Sequence, residues 1–498
     1  MARTLHCQSA VLVTVTLTKI GTTAACAAPH SYDVLFSGRH IGGTMSELPK
    51  ILTRGERARL FPVLADTSKE GRSLSIFLAC LGNVEAFGRG MLSAIGVRVG
   101  SRAKIETYTE VVLQKGGEKA SRPDGLIIVR SGSSEWTALI EAKVGNADLT
   151  ADQVESYVEV AKLNGIDAII TISNQFAPLP THHPIALSAA VRRKASIFHW
   201  SWMFVLTEAT LLLSNDEVPS DDQRYILNEM VRFLGHPSAG VRSFEQMPAP
   251  WTSVVSAVQA GGSISTNSPD AKEIVGAWHQ EVRDLNLILS RQLGREVATR
   301  ISRAHAKDPN ERVKADMVVL AKDRRLEATL TVPDAASPID ICADLQKRTV
   351  AVSMKLRAPT ERKSTKARVN WLLRQLHRAD SANIHVRLFW PGRATHTQHT
   401  LAALREDQEL AASERDGLAV LSFEVLLVKD LGGRFAQRRN FISELESTVP
   451  DFYDQVGQHL RAWHPPAPRL REEKAEPSTV TVDAIGEQAE QVAATGEE

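Results

Sequence analysis

The most constraining stretch of this 498-residue chain is residues 121–144, SRPDGLIIVRSGSSEWTALIEAKV. Two short apolar runs, Gly125 to Val129 and Trp136 to Val144, flank the turn-forming Ser131-Gly132-Ser133-Ser134. The pattern predicts a β-hairpin. Asp124 and Glu141 lie equally far from the centre of that turn, so a hairpin closed there sets them opposite each other. Strand side chains alternate between faces, so Glu141 and Lys143 share one. Two carboxylates and one ammonium group then converge at one end of one hairpin.

Such a trio has a chemical use. Neighbouring carboxylates repel, and a divalent cation between them removes the repulsion. Mg²⁺, with Mn²⁺ as a substitute, suits an oxygen site of this kind. It keeps several waters and takes one or two carboxylates plus substrate phosphate. A metal held by Asp124 and Glu141 lowers the pKa of a water and stabilises charge on phosphoryl oxygens. Lys143 then orients that water or neutralises the pentavalent phosphate. The expected chemistry is phosphodiester hydrolysis.

Apolar spacing predicts helices over Leu74 to Ile95, Thr150 to Leu163 and Trp202 to Leu213. It predicts strands over Lys104 to Leu113, Ala168 to Ile172 and Ser196 to His199. The order, α-β-β-β-α-β and then β-α, is that of a mixed α/β core with helices covering a central sheet. Residues 71–214 resemble the PD-(D/E)XK nuclease superfamily. Its motif stands here as Pro123-Asp124 followed by Glu141-Ala142-Lys143, in that element order. Gln153-Val154-Glu155-Ser156-Tyr157 fits the QxxxY motif of one branch. The resemblance implies a restriction-endonuclease-like core, catalytic roles for Asp124, Glu141 and Lys143, and a supporting role for Gln153 at the site or on a DNA phosphate. It also implies a further acidic residue from the first helix. Glu85, on the apolar stripe between Leu81 and Leu92, is the candidate. Tyr157 is open between site support, nucleic-acid contact and plain helix packing. Glu106 and Glu110, evenly spaced on the strand before the hairpin, are placed on one face, and Glu110 is a candidate extra carboxylate. Two alternatives stay open: a catalytically inactive nuclease fold that binds nucleic acid or regulates, and an ordinary hairpin whose Glu141 and Lys143 face solvent.

The nucleic acid is expected to be DNA, but bulk charge does not argue for it. The formal net charge is +1, so binding must rest on local patches rather than a global field. Residues 355–378 form one such patch: Lys355, Arg357, Arg362, Lys363, Lys366, Arg368, Arg374 and Arg378 oppose Glu361 alone. Lys366, Arg374 and Arg378, the last two one helical turn apart with Asn370 on the same face, are candidate backbone contacts. The bland alternative is a solvated helix face. His182 and His183 read as loop histidines, and His199-Trp200 as packing.

The length predicts more than one domain. The nuclease-like domain is expected over 45–240, a helical connector over 241–295, a smaller α+β domain over 296–463 and a disordered tail over 464–498. In the α+β domain, strands are expected at Met317 to Leu320, Leu326 to Val332, Val350 to Leu356, Ile384 to Trp390 and Leu418 to Leu427. Helices are expected at Lys366 to Arg378 and Phe441 to Ala462. Residues 1–44 are expected to be a leader or a mis-assigned start. Their apolar stretch, Ala10 to Ala28, resembles a secretory signal, but Lys19 interrupts it. No run is long and apolar enough for a membrane helix. The four cysteines form no CxxC pair and fit a reducing cytoplasm. No GxxxxGK[ST], GxSxG or HExxH pattern occurs.

Overall fold

The hairpin lies at the centre of a sheet in the computed structural model, which describes residues 48–62, 68–115, 122–185, 187–380, 383–413, 415 and 417–465. The expectations for residues 1–44 and for nearly all of 464–498 lie outside these residues. Six strands form the first sheet in sequence order: β1 (Leu52–Arg57), β2 (Lys104–Leu113), β3 (Gly125–Ser131), β4 (Ser134–Ala142), β5 (Ala168–Ser173) and β6 (Ser196–Ser201). Strands β1 to β4 are antiparallel, whereas β4, β5 and β6 are parallel. Its helices are α1 (Lys69–Asn83), α2 (Glu85–Ser93), α3 (Ala151–Asn164), the short α4 (Ala189–Arg192), α5 (Trp202–Ser214) and α6 (Asp221–Leu234).

Both faces of this sheet are covered. Ile127, Val129, Ala138, Ile140, Ala168, Ile170 and Ile172 pack under α1, α2, α5 and α6. Leu126, Ile128, Leu139 and Ile169 point the other way, against Tyr157, Val158 and Ala161 of α3. Two buried faces explain why the strands read as unbroken apolar runs rather than alternating ones. The parallel β4–β5 pairing requires a crossover, and α3 supplies it. Thr150 caps α3 by accepting the Gln153 N–H at 3.3 Å.

A second sheet has seven antiparallel strands in the order β12-β11-β13-β10-β9-β8-β7. They are β7 (Ala298–Thr299), β8 (Arg325–Thr331), β9 (Ile339–Asp344), β10 (Thr349–Arg357), β11 (Ile384–Phe389), β12 (Thr397–Thr400) and β13 (Ser422–Asp430). Its helices are α7 (Pro250–Gln259), α8 (Pro269–Leu293), α9 (Arg303–Lys307), α10 (Pro309–Asp323), α11 (Thr365–Gln375), α12 (Leu401–Glu406), α13 (Leu410–Ser413) and α14 (Arg438–Gln455). The chain is thus mixed α/β, with helices flanking a mixed and an antiparallel sheet. No helix of the described residues is long and apolar enough to cross a membrane.

Several expectations change. The helix over Leu74 to Ile95 is two helices, because Val84 is extended (φ −106°, ψ 99°). Met317 to Leu320 is helical: Asp308 caps α10 and Pro309 opens it, so the short apolar run takes the helical period. Strands β1, β7, β9 and β12 were not expected. Helices α7 and α8, expected as a connector, share one core with the second sheet through Trp251, Ile274 and Trp278. Helix α8 also touches α5, where Arg291 donates to Thr207 Oγ1 at 2.7 Å.

Gly125 sets how closely these layers approach beside Asp124. A Cβ there would meet Leu78 Cδ1 and the Tyr108 carbonyl oxygen, each at 2.9 Å. The carbonyl belongs to the β2 ladder and has no room to retreat. Gly125→Ala should therefore destabilise the chain by about 1–3 kcal/mol, measured by urea unfolding. A variant as stable as the natural chain would show that β2 and α1 yield here.

Candidate active site

The hairpin closes in the expected register. Ser131 faces Ser134 and Gly125 faces Ile140, so the next pair outward is Asp124 and Glu141. Asp124 stands just before β3, and its Oδ2 accepts the Ala142 N–H at 2.9 Å. Glu141 is 2% exposed. Its Oε1 lies 2.7 Å from Lys143 Nζ and accepts from Gln153 Nε2 at 2.6 Å. Its Oε2 accepts from the Tyr157 hydroxyl at 2.7 Å. Gln153 and Tyr157 are one turn apart on α3, so one helix face supplies both donors.

The backbone of Lys143 is held on both sides. Its N–H donates to the Ile172 carbonyl at 2.8 Å, and its own carbonyl accepts from the Trp202 indole at 2.8 Å. Its ammonium group also lies 3.4 Å from Glu70 Oε2. Glu70 lies in the first turn of α1, ahead of the apolar stripe that leads to Glu85.

Burial, and then the charge of Glu141, push the Asp124 carboxyl up to about 7. Burial alone would lower the Lys143 ammonium, but its bond to Glu141 and the negative charges of Glu141, Asp124 and Glu70 raise it instead. Lys143 is therefore a cation at neutral pH. Burial and the bond to Glu141 raise Tyr157, which stays a phenol and a donor. When all are ionised, three carboxylates surround a single ammonium group, an excess of negative charge that suits a divalent cation. Among the described residues no group of three or more His, Cys, Asp and Glu side chains is placed to hold a metal ion. The two carboxylates Asp124 and Glu141 could hold Mg²⁺, an ion that keeps most of its waters.

Most of the other candidates lie outside this cluster. Glu85 points to solvent and pairs with Arg89 at 3.5 Å, because the break at Val84 makes it the first residue of a new helix. Glu106 is buried in a cage of Arg57, Lys104 and Arg130. Burial works against its charge, but the hydrogen bond from Lys104 and the two arginines outweigh it and hold the carboxyl at about 2. A register shift against β1 and a φ of +53° at Glu110 break the even spacing, so Glu110 is exposed while Glu106 is buried. Tyr157, 4% exposed, is the exception, since its hydroxyl donates to Glu141. Lys366 pairs with Glu409 on the second sheet's side of the chain. Arg374 and Arg378 are exposed, but α11 stops at Gln375, so they do not share a helix face.

His183 sits in a loop and His199 on β6, as expected, and the two are joined through Thr171. His199 Nε2–H donates to the Gln175 carbonyl at 2.8 Å, which leaves its Nδ1 to accept from the Thr171 hydroxyl at 2.8 Å. Thr171 Oγ1 then accepts from His183 Nε2–H at 2.9 Å, and His183 Nδ1 accepts the Ile185 N–H at 3.2 Å. This arrangement together with burial, which disfavours the charged form, leaves both rings neutral. Burial lowers His183 to about 4; burial and His183 lower His199 to about 3. His182 Nε2–H donates to the Ala306 carbonyl of α9 at 2.8 Å. Trp200 packs edge-on to Phe77 as expected.

Comparisons with family models, curated proteins and solved structures found no match to this chain.

Two pH effects follow, of opposite sign. Asp124 holds its proton to about pH 7 when folded but only to about 3.8 when unfolded. Its contribution favours the fold at low pH and is lost as pH rises through about 7. Asp124→Asn should thus stabilise the metal-free chain near pH 8 by about 1 kcal/mol or more, in thermal unfolding with chelator present, and the gain should shrink towards pH 4. An unchanged midpoint near pH 8 would contradict the buried pair. The neutral histidines contribute above about pH 6.5, and this is lost as pH falls towards 4 and 3. His183→Gln should flatten that acid limb of a urea-midpoint profile. A limb of unchanged slope would show that these histidines do not set it.

Proposed function

We propose that this chain is a metal-dependent nuclease of the PD-(D/E)XK type, with a restriction-endonuclease-like core formed by α1 to α5 and β2 to β6. The observation that carries the reading is the meeting of Asp124, Glu141 and Lys143 at the end of one hairpin, with Gln153 and Tyr157 bonded to Glu141. The order of elements around them supports it. DNA is the proposed substrate, hydrolysed at a phosphodiester bond, in defence, repair or a stress response.

Asp124 and Glu141 would hold Mg²⁺. When bound, it would neutralise charge on the phosphoryl oxygens and acidify a water. The chain's own residues do the remaining work. Glu141 is fixed by three donors, so its carboxylate is oriented before substrate arrives, and no rearrangement is needed during the reaction. Lys143 brings a permanent positive charge, 17% exposed and therefore within reach of a phosphate. Its position is set from the backbone by Ile172 and Trp202. Gln153 and Tyr157 act through Glu141 and are positioning residues. The protein is proposed to work in the cytoplasm.

The test is cleavage of plasmid and linear DNA by the full chain with Mg²⁺ or Mn²⁺. Asp124→Ala and Lys143→Ala should each lower the rate by about a hundredfold or more, with the fold kept by circular dichroism. Absence of cutting on DNA and RNA, with no metal-induced rise in melting temperature, would overturn the enzyme reading in favour of an inactive nuclease fold. Cutting that survives both substitutions would place the chemistry elsewhere.

A further inference from the structure

We infer that the cleft beside Asp124 is a track for a single strand of nucleic acid, held at its phosphates by Arg54, Arg59 and Arg122 and stacked through one base on Phe61. The inference rests on the nuclease reading, since it takes Asp124 as the reacting end of the track. Strands β1 and β2, the start of α1 and the segment Arg122 to Asp124 wall the cleft. Four arginines line it: Arg54, Arg57, Arg59 and Arg122. Arg57 is engaged with Glu106 at 3.4 Å and lies over the Tyr108 ring. The other three are exposed and form no ion pair among the described residues. Glu56 and Glu110 share the wall, so attraction comes from three separate guanidinium groups rather than a broad field. Guanidinium groups suit phosphate oxygens because their paired N–H groups match them.

Three observations favour an extended single strand. First, the enclosed volume is about 170 Å³, below the roughly 300–1,000 Å³ of sites that engulf small molecules. An occupant must run along the cleft rather than sink into it. Second, Phe61 is 87% exposed and lies outside the lining, but it directly precedes Pro62, which lines the cleft with Arg59. An exposed aromatic ring next to a basic groove stacks unpaired bases, at about 1–3 kcal/mol each. Bases in a duplex are already stacked on one another and have no face to offer. Third, the wall is fixed in advance. Arg59 N–H donates to Ser75 Oγ and the Ser75 hydroxyl donates back to the Arg59 carbonyl, both at 2.9 Å. Ala58 N–H donates to the Thr107 carbonyl at 3.1 Å.

Fluorescence anisotropy of the full chain with labelled oligothymidylate, oligouridylate and a duplex of equal length, in chelator, tests this without cleavage. Either single strand should bind at least about tenfold more tightly than the duplex. The double substitution of Arg54→Ala and Arg59→Ala should weaken single-strand binding about tenfold and reduce the slope of log K against log salt by roughly 1.4, the share of two phosphate contacts. Phe61→Ala should weaken single-strand binding about fivefold or more and leave the duplex unchanged. Equal binding of strand and duplex, or single-strand binding indifferent to these substitutions, would overturn the track. Because no metal is present, binding without later cleavage would count against the nuclease reading alone, and cleavage without this binding against the track alone.

Discussion

The buried carboxylate of Glu141 is the constraint around which the first sheet is arranged. An ionised group at 2% exposure is very costly unless its oxygens are bonded. Three donors meet that need, and each draws a different part of the chain to the end of β4. Lys143 comes from the same strand, whereas Gln153 and Tyr157 fix the rotation of α3 about its axis. Since α3 is also the crossover into β5, the register of the parallel half of the sheet and the hold on the carboxylate are one condition. Removing any donor leaves a charged oxygen short of a partner in a place water does not freely reach.

Asp124 completes the arrangement at a cost to stability. Burial, and then the charge of nearby Glu141, push its carboxyl up to about 7. A neutral or apolar residue would fold more comfortably there. Strain of this electrostatic kind is what the proposed cation site would retain. Glu70 adds another negative charge beside Lys143.

The site was legible in the sequence where a local rule applied. Turn residues at 131–134 fixed the pairing of Asp124 and Glu141, and helical spacing joined Gln153 to Tyr157. Continuous apolar runs marked β3, β4 and β5, because strands covered on both faces need no polar alternation. What failed depended on distant contacts. Glu70 became a neighbour of Lys143 only through the packing of α1, and Trp202 found the Lys143 carbonyl from another strand end. Glu85 was misplaced because nothing in the apolar stripe announced that Val84 would leave the helix. Met317 to Leu320 carried the same ambiguity between strand and helix that any four-residue apolar run carries. Strand β1, with Arg54, Glu56 and Arg57, has too few apolar residues to look like a strand. It is one because β2 offers it a ladder.

That polar strand has a second consequence. As the outer strand of its sheet, β1 leaves one row of N–H and C=O groups unpaired by the sheet, an invitation for another copy of the chain to add edge to edge. Arginines and a glutamate along it, together with the register shift opposite Glu110, make such stacking unfavourable: like charges would face one another and the ladder would fall out of step. The composition that hid β1 from recognition is thus also its protection against aggregation, and neutralising those arginines would be expected to make the chain stickier as well as less basic.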